Sequence, residues 1–461
     1  MRRLLLGLAV FSLITTCLQA TDWPQWLGPK RDGVWRESGL LEKFPEKGLN
    51  IRWRTPLGKG YAGPAVANGH VFVMDWNRLK DKDGNNIKPT KEGIPGNERL
   101  LCLDETTGKI AWEYTYEAKY KLSYPNGPRV TPVIENDRVY GIGAMGHFFC
   151  VDARTGKEVW SKNLTKTYST EPPVWGFSAH PLIVGDLIYT LVGGKDSAVV
   201  AFDKKTGEEK WKALNAQEVG YAPPILMNAA GQDQLIIWLS ETLNGLDPKT
   251  GKVLWTHKYP SDGKVDRPAV SIAMPRQVDK DQLFITTVYH GPLMVKLHQD
   301  TPAASVVWQV AGNMAKLPEG LTALMATPVY LKGHLYGVDM KGRLMCCDAN
   351  DGKVKWETFD PIIDDKARAS KRKIREIDCG NAFLVQLGEG SEHFLLFNDT
   401  GYVIKARLTS EKYEELGRFK LIEPTHDARG RTVVWSHPAC ANKHIYARND
   451  NEILSASMQQ Q

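Results

Sequence analysis

Seven residues combine side chains and positions suited to holding a ligand: Arg129, Trp175, His180, Tyr221, Arg267, Trp435 and His437. Each stands shortly ahead of a proline, at Pro132, Pro181, Pro224, Pro268 or Pro438. Two guanidinium groups suit an anion, and three large rings suit a planar or apolar body. His180 and His437 belong to repeats far apart along the chain, which argues against a shared metal. A second constellation is Asp81, Asp83, Asn85 and Glu92, whose oxygens fall at positions 1, 3, 5 and 12 of an EF-hand-like loop. Asn86 holds the position that usually takes glycine, and Lys88 sits where an apolar residue is expected. A solvated polar loop is therefore the default reading of residues 77–99, with calcium as the alternative. Gly-x-Ser-x-Gly, Walker and His-Glu-x-x-His motifs are missing, so hydrolase and nucleotide chemistry have no support.

The elements that must position these residues come from an internal repeat. Asp-x-x-Thr-Gly-Lys/Glu-x-x-Trp occurs with Asp104, Gly108 and Trp112, again with Asp152, Gly156 and Trp160, and with Asp203, Gly207 and Trp211. Two further copies carry Asp247, Gly251 and Trp255, then Asp348, Gly352 and Trp356, the last with Asp351 in place of Thr. A unit running from His298 to Trp308 has lost the turn. Successive tryptophans lie 44 to 53 residues apart, and a β-rich period near fifty indicates a propeller. The Asp accepts from turn amides and the Gly takes the positive-φ position of a hairpin. The Trp ends an alternating strand and is large enough to fill the seam between neighbouring sheets.

Each repeat parses into four strands, A to D. Prolines open the inner A strands at Pro64, Pro132, Pro181, Pro224, Pro268, Pro328 and Pro438, and Ala382-Phe383-Leu384-Val385 supplies an eighth without one. The last unit ends after three strands, near Ser457. Ile51 to Leu57 is an orphan strand whose pairing there would close the ring and remove both edges. The expected fold is an all-β, eight-bladed propeller of four-stranded antiparallel blades over residues 51–457, with seven blades if the degenerate unit from Phe383 to Leu408 does not count.

Residues 1–20 read as an export signal: Arg2 and Arg3, an apolar run from Leu4 to Ile14, and Ala20 at a cleavage point. Residues 21–50 are an N-terminal extension and 458–461 a tail. The run is too short to span a bilayer, which needs about 20 apolar residues, so the chain is expected to be periplasmic or extracellular. Lipid anchoring through Cys17 is the lesser alternative, because Thr16 fits poorly before a lipidated cysteine. A net charge of +6 from 59 basic and 53 acidic residues, with no basic tail, argues against a nucleic-acid binder. The basic run from Lys366 to Arg375 reads as a short exposed helix between blades.

The Asp-x-x-Thr-Gly-Lys-x-x-Trp element resembles the tryptophan-docking repeat of the pyrroloquinoline quinone (PQQ) propeller superfamily. The stretch from Asp22-Trp23-Pro24-Gln25-Trp26 to Val34 resembles the opening of secreted bacterial PQQ-like repeat proteins. That superfamily holds both dehydrogenases and non-catalytic scaffolds, so the resemblance implies fold more than function. The dehydrogenase reading implies PQQ over the axis, a bridging Ca²⁺ and an Asp base acting on an alcohol or sugar. Against it, no Cys-x-x-Cys-His haem motif occurs, and no metal-site carboxylates can be matched. The vicinal Cys346-Cys347 is similar to a pair that some such enzymes set against the quinone. Yet Cys102, Cys150 and Cys346 all stand two residues before a repeat Asp, where Ala201 and Gly245 also occur. That marks a tight packing position, with Cys347 on the opposite face of its strand. The favoured expectation is a non-catalytic, monomeric scaffold that binds a protein, peptide or glycan through its rim. The alternative is a PQQ- and Ca²⁺-dependent oxidoreductase.

Overall fold

In the computed structural model, which describes residues 21–460 except 124, 262, 264, 266, 313–318, 365–367, 369–375 and 429, each repeat is a four-stranded antiparallel sheet. Residues 1–20 and most of the basic run 366–375 lie outside the described residues. Eight such blades form the ring, and the unit from Ala382 to Lys420 is a full blade. The eighth takes its D strand from the other end of the chain: Ile51–Pro56 pairs antiparallel with Glu452–Ser457. Two chain ends thus share one sheet, and the ring cannot open without breaking it.

The repeat residues do the same work blade after blade. Asp104 Oδ1 accepts from the Thr107 hydroxyl and from the amides of Thr106 and Thr107, while Gly108 holds φ +70°. Within a sheet, an aromatic residue on strand B, a small one on C and the Trp on D lie side by side. Tyr140, Cys150 and Trp160 form one such row, and Tyr336, Cys346 and Trp356 another. Cys346 and Cys347 belong to different hydrophobic clusters, as expected for opposite faces. All six described cysteines are buried.

Each Trp then docks on the next blade. Its indole N–H donates to a turn carbonyl there: Trp53 to Glu105, Trp112 to Ala153, Trp160 to Lys204 and Trp211 to Pro248. The turn glycine lies on the ring so closely that a Cβ at Gly251 would sit 2.5 Å from Trp211. Where the next turn is missing, docking changes. The fifth blade lost its turn, and Trp255 bonds instead to Gln234 Oε1 of its own blade at 2.7 Å. The eighth blade has chain ends where its turn would be, and the seventh carries Gly417 in place of Trp. Leu49, with the half-buried Leu41 and Phe44 of the N-terminal extension, packs into that region instead.

One strand assignment is corrected. The A strand of the fifth blade is Arg276–Val278, opened by Pro275 and not by Pro268. The loop before it carries three prolines, at 260, 268 and 275, and the sequence pattern does not distinguish them.

The N-terminal extension, unassigned from sequence, closes one end of the central channel. Asp22 accepts from the Asn68 amide in the first A–B turn. Trp23 makes a two-way bridge with Val66, and Pro24 O accepts from Ile134 N in the second blade. Buried Arg31 donates to the carbonyls of Pro181 and Pro224, in front of the third and fourth A strands. Val34–Trp35 then pairs parallel with Gln386 and Leu387 of the seventh. A segment tied to five inner strands around the ring spans the axis at the A–B end.

Candidate functional site

Above that plug lies an axial cavity of about 280 Å³, to which the segment ahead of or opening the A strand of every blade contributes. Six of the seven residues expected at the rim meet there: Arg129, Trp175, His180, Tyr221, Trp435 and His437. Arg267 does not. Its side chain is 65% exposed and 4.0 Å from Glu218, because the fifth A strand begins seven residues later than the proline pattern implied. The neighbouring Pro268 does line the cavity.

The cavity has two unlike arcs. One is aromatic and polar. Arg129 is held by three backbone carbonyls, donating to Trp175 O and Pro125 O at 2.9 Å and to Gly127 O. Its guanidinium lies 5.0 Å over the Tyr61 ring, and Tyr61 stacks on His426 at 4.2 Å. Trp175 and Tyr221 have ring centres 5.1 Å apart. The other arc is apolar, built from Val270, Ile272, Val288, Leu324 and Met340. Sequence reasoning missed this arc because its residues lie in irregular segments where no period marks them. Pairs such as Ile272-Ala273-Met274 and Leu324-Met325, apolar yet just ahead of an A strand, were the available signal.

Trp26 of the plug is the floor. It stacks on His180 at 4.6 Å and meets His437 edge-on at 5.4 Å. Two histidines that looked too distant to cooperate are thus gathered by one indole. His180 is 7% exposed, and neither of its ring nitrogens has a hydrogen-bond partner among the described residues. Burial holds His180 far below the ordinary histidine range, with His437 and Arg31 adding to the effect. Burial also lowers His437, to about 3. Both rings are therefore neutral at neutral pH. Burial brings Arg31 down to about 10, still charged there.

The lining decides what chemistry the cavity can support. A calcium ion takes six to eight oxygen ligands, with carboxylates prominent among them. Among the described residues the lining has no Asp, Glu, Asn or Gln, and no group of three or more His, Cys, Asp or Glu side chains is arranged to hold a metal. A PQQ–Ca²⁺ pair does not fit this donor set. Cys346 and Cys347 pack between blades, away from the cavity.

The calcium-loop residues do not assemble either. Asp81 Oδ1 accepts from the amides of Asp83 and Asn85, closing the loop on itself. Glu92 turns away to pair with Lys119 at 2.5 Å. The insertion lies between strands B and C of the first blade as expected, but it is shorter than residues 77–99: strand B runs through Arg78 and strand C begins at Gly96.

Known proteins repeat this architecture. The chain is 26% identical over 238 residues to the outer membrane protein assembly factor BamB of Moranella endobia, an alignment covering 49% of this chain and 56% of that one. It is 26% identical over 162 residues to a quinoprotein ethanol dehydrogenase of Pseudomonas putida, covering 32% of this chain and 25% of the relative. The chain thus spans about half, or less, of the curated relatives it matches. Among solved structures, the quinohemoprotein alcohol dehydrogenase of Comamonas testosteroni superposes with a TM-score of 0.58 at 12% identity, covering 95% of this chain and 81% of that one. BamB from Moraxella catarrhalis gives 0.51 at 15%, covering 83% and 98%. At such identities these two likenesses concern the fold alone. A family model described as outer membrane protein assembly factor BamB matches residues 96–358, more than half of the chain, so the chain belongs to that family of PQQ-like β-propellers.

Proposed function

We propose that this protein is an exported, non-catalytic PQQ-like propeller that works as a binding module, engaging a protein, peptide or glycan through its channel rim and blade loops. The observation that carries this reading is the cavity lining, which offers rings, one guanidinium and apolar side chains but no carboxylate. A quinoprotein needs an acid to anchor its metal and to accept the alcohol proton. The relatives named as assembly factors support a role in holding other proteins. No helix among the described residues is long and apolar enough to cross a membrane, so attachment to a membrane would rest on another device, such as lipidation at Cys17.

The test is a dye-reduction screen of the purified protein with PQQ, Ca²⁺ and a panel of alcohols and sugars. No turnover above the protein-free rate is expected. Turnover that EDTA abolishes would replace this reading with the oxidoreductase one.

A further inference from the structure

The axial cavity holds a cation and a histidine whose partners inside the protein do not exhaust them. A guanidinium has five N–H donors. Arg129 spends three on the carbonyls of Trp175, Gly127 and Pro125; among the described residues no carboxylate is in ion-pair contact with it, and the buried Glu98 carboxylate acts on it only through space. A largely buried guanidinium with no carboxylate in contact and unused N–H donors favours a ligand that brings an anionic oxygen to it. His180 makes the second, independent observation. It is more than nine-tenths buried, it lines the same cavity, and neither ring nitrogen has a partner among the described residues. A buried polar atom without a partner is costly to the protein, so a group that satisfies it binds with that advantage.

The remaining surfaces set the shape of the ligand. Trp26 offers an indole floor, and Trp175, Tyr221 and Trp435 offer further rings. The opposite arc, with Val270, Ile272 and Leu324, is apolar. A cavity of about 280 Å³ lies at the small end of the range for small-molecule sites, about 300–1,000 Å³, which suits a body of one or two rings. With one guanidinium and no second cation in the lining, one negative charge is matched and several are not.

We infer that the axial cavity binds a flat, largely apolar small molecule carrying a single carboxylate, with the carboxylate at Arg129 and the ring system between the aromatic floor and the apolar arc. This rests on the non-catalytic reading above and gives that binding module a ligand class. Arg129, by contacting the ligand's charge, is the residue that distinguishes an acid from its neutral counterpart. Leu324 limits the space available to the rings.

The probes are 2-naphthoate and its neutral isostere 2-naphthamide, titrated calorimetrically into the purified protein. Naphthoate is expected to bind ten- to a hundredfold more tightly, the range of a charge-assisted hydrogen bond. Arg129→Gln should bring the two probes to equal affinity, and Leu324→Trp should abolish both while the far-ultraviolet circular dichroism is unchanged. Equal affinities in the unmodified protein would overturn the inference, as would failure of naphthoate to bind at millimolar concentration. The comparison of the acid with its amide in the unmodified protein needs no variant to fold. Calcium-dependent turnover with PQQ would overturn the functional reading even if naphthoate bound, so the two failures are distinguishable.

Discussion

The seams between blades and the cavity at their axis are built from the same repeats, yet one is uniform and the other is not. At the seams, six indoles donate to a carbonyl in the next blade, and turn glycines lie against the rings. At the axis, the equivalent positions three residues before the A-strand proline are Tyr61, Arg129, Ser178, Tyr221, Ile272, Met325 and Trp435, with almost no repetition. The seam meets the same geometric demand around the ring, so one solution recurs at six of the eight seams. The axis is one place that all blades share, so each contributes a different group to a single site. Uniformity marks what holds this fold together, and divergence at the axis is what the proposed binding site requires.

The comparison is sharpest where a seam residue is removed. Trp211→Ala deletes a ring that is 8% exposed and its bond to Pro248. It is expected to cost about 3–5 kcal/mol in chemical denaturation. An equal loss from Leu324→Ala at the cavity wall would erase the distinction between the two regions.

The cavity should reveal itself through pH instead. His437 titrates near 3 when folded, and His180 is also held far below its ordinary value, about 6.5. As pH falls through 6.5 the unfolded chain takes up protons that the folded rings refuse. Stability is therefore complete above pH 6.5 and declines as pH falls, by about 1.4 kcal/mol per pH unit toward pH 3 for His437, with His180 adding a decline of the same sign. His180→Gln should make that slope shallower, leaving the part due to His437, in denaturation curves measured between pH 7 and 4, whereas Trp211→Ala should leave it unchanged.

The exceptional seam gives a smaller effect. Gln234→Leu leaves the Trp255 indole N–H without its acceptor, and is expected to cost about 1–3 kcal/mol. The same substitution should leave ligand binding at the axis untouched. Smallest are the exposed turns. The Thr155 hydroxyl, with nearby amides and Arg138, holds Asp152 below the usual carboxylate range. Its contribution is present above pH about 4 and lost as pH falls through the lowered folded value. Asp152→Asn should then show a shallower decline below pH 4 in thermal melts, with little change near neutrality.

The seams were legible from sequence for the reason they are uniform. Asp, Gly and Trp recur at fixed spacing because a turn, a positive φ and a docking ring recur, and the pattern reveals all three together. The closing strand was legible from Trp53, an indole in search of a turn, which it finds at Glu105 and Gly108. The axis was legible only in part. Counting back from prolines placed Arg129, His180, Tyr221, Trp435 and His437 correctly, because their loops are short. It failed at Arg267, where a longer loop with three prolines moved the strand start. The plug was missed altogether. Asp22 to Trp35 has no period, since its residues bind successive blades one at a time and not a single sheet face. Only the density of large rings, Trp23, Trp26 and Trp35, hinted that the segment is buried.

The axis is proposed to be a binding site without metal-dependent redox chemistry. The most direct measurement is the thermal stability of the protein titrated with PQQ, once with Ca²⁺ and once with EDTA. A ligand that binds only the folded state raises its stability in step with concentration over Kd. The expected result is that the two titrations superimpose, whatever the size of the shift. A stabilisation that appears with Ca²⁺ and disappears with EDTA would contradict the account.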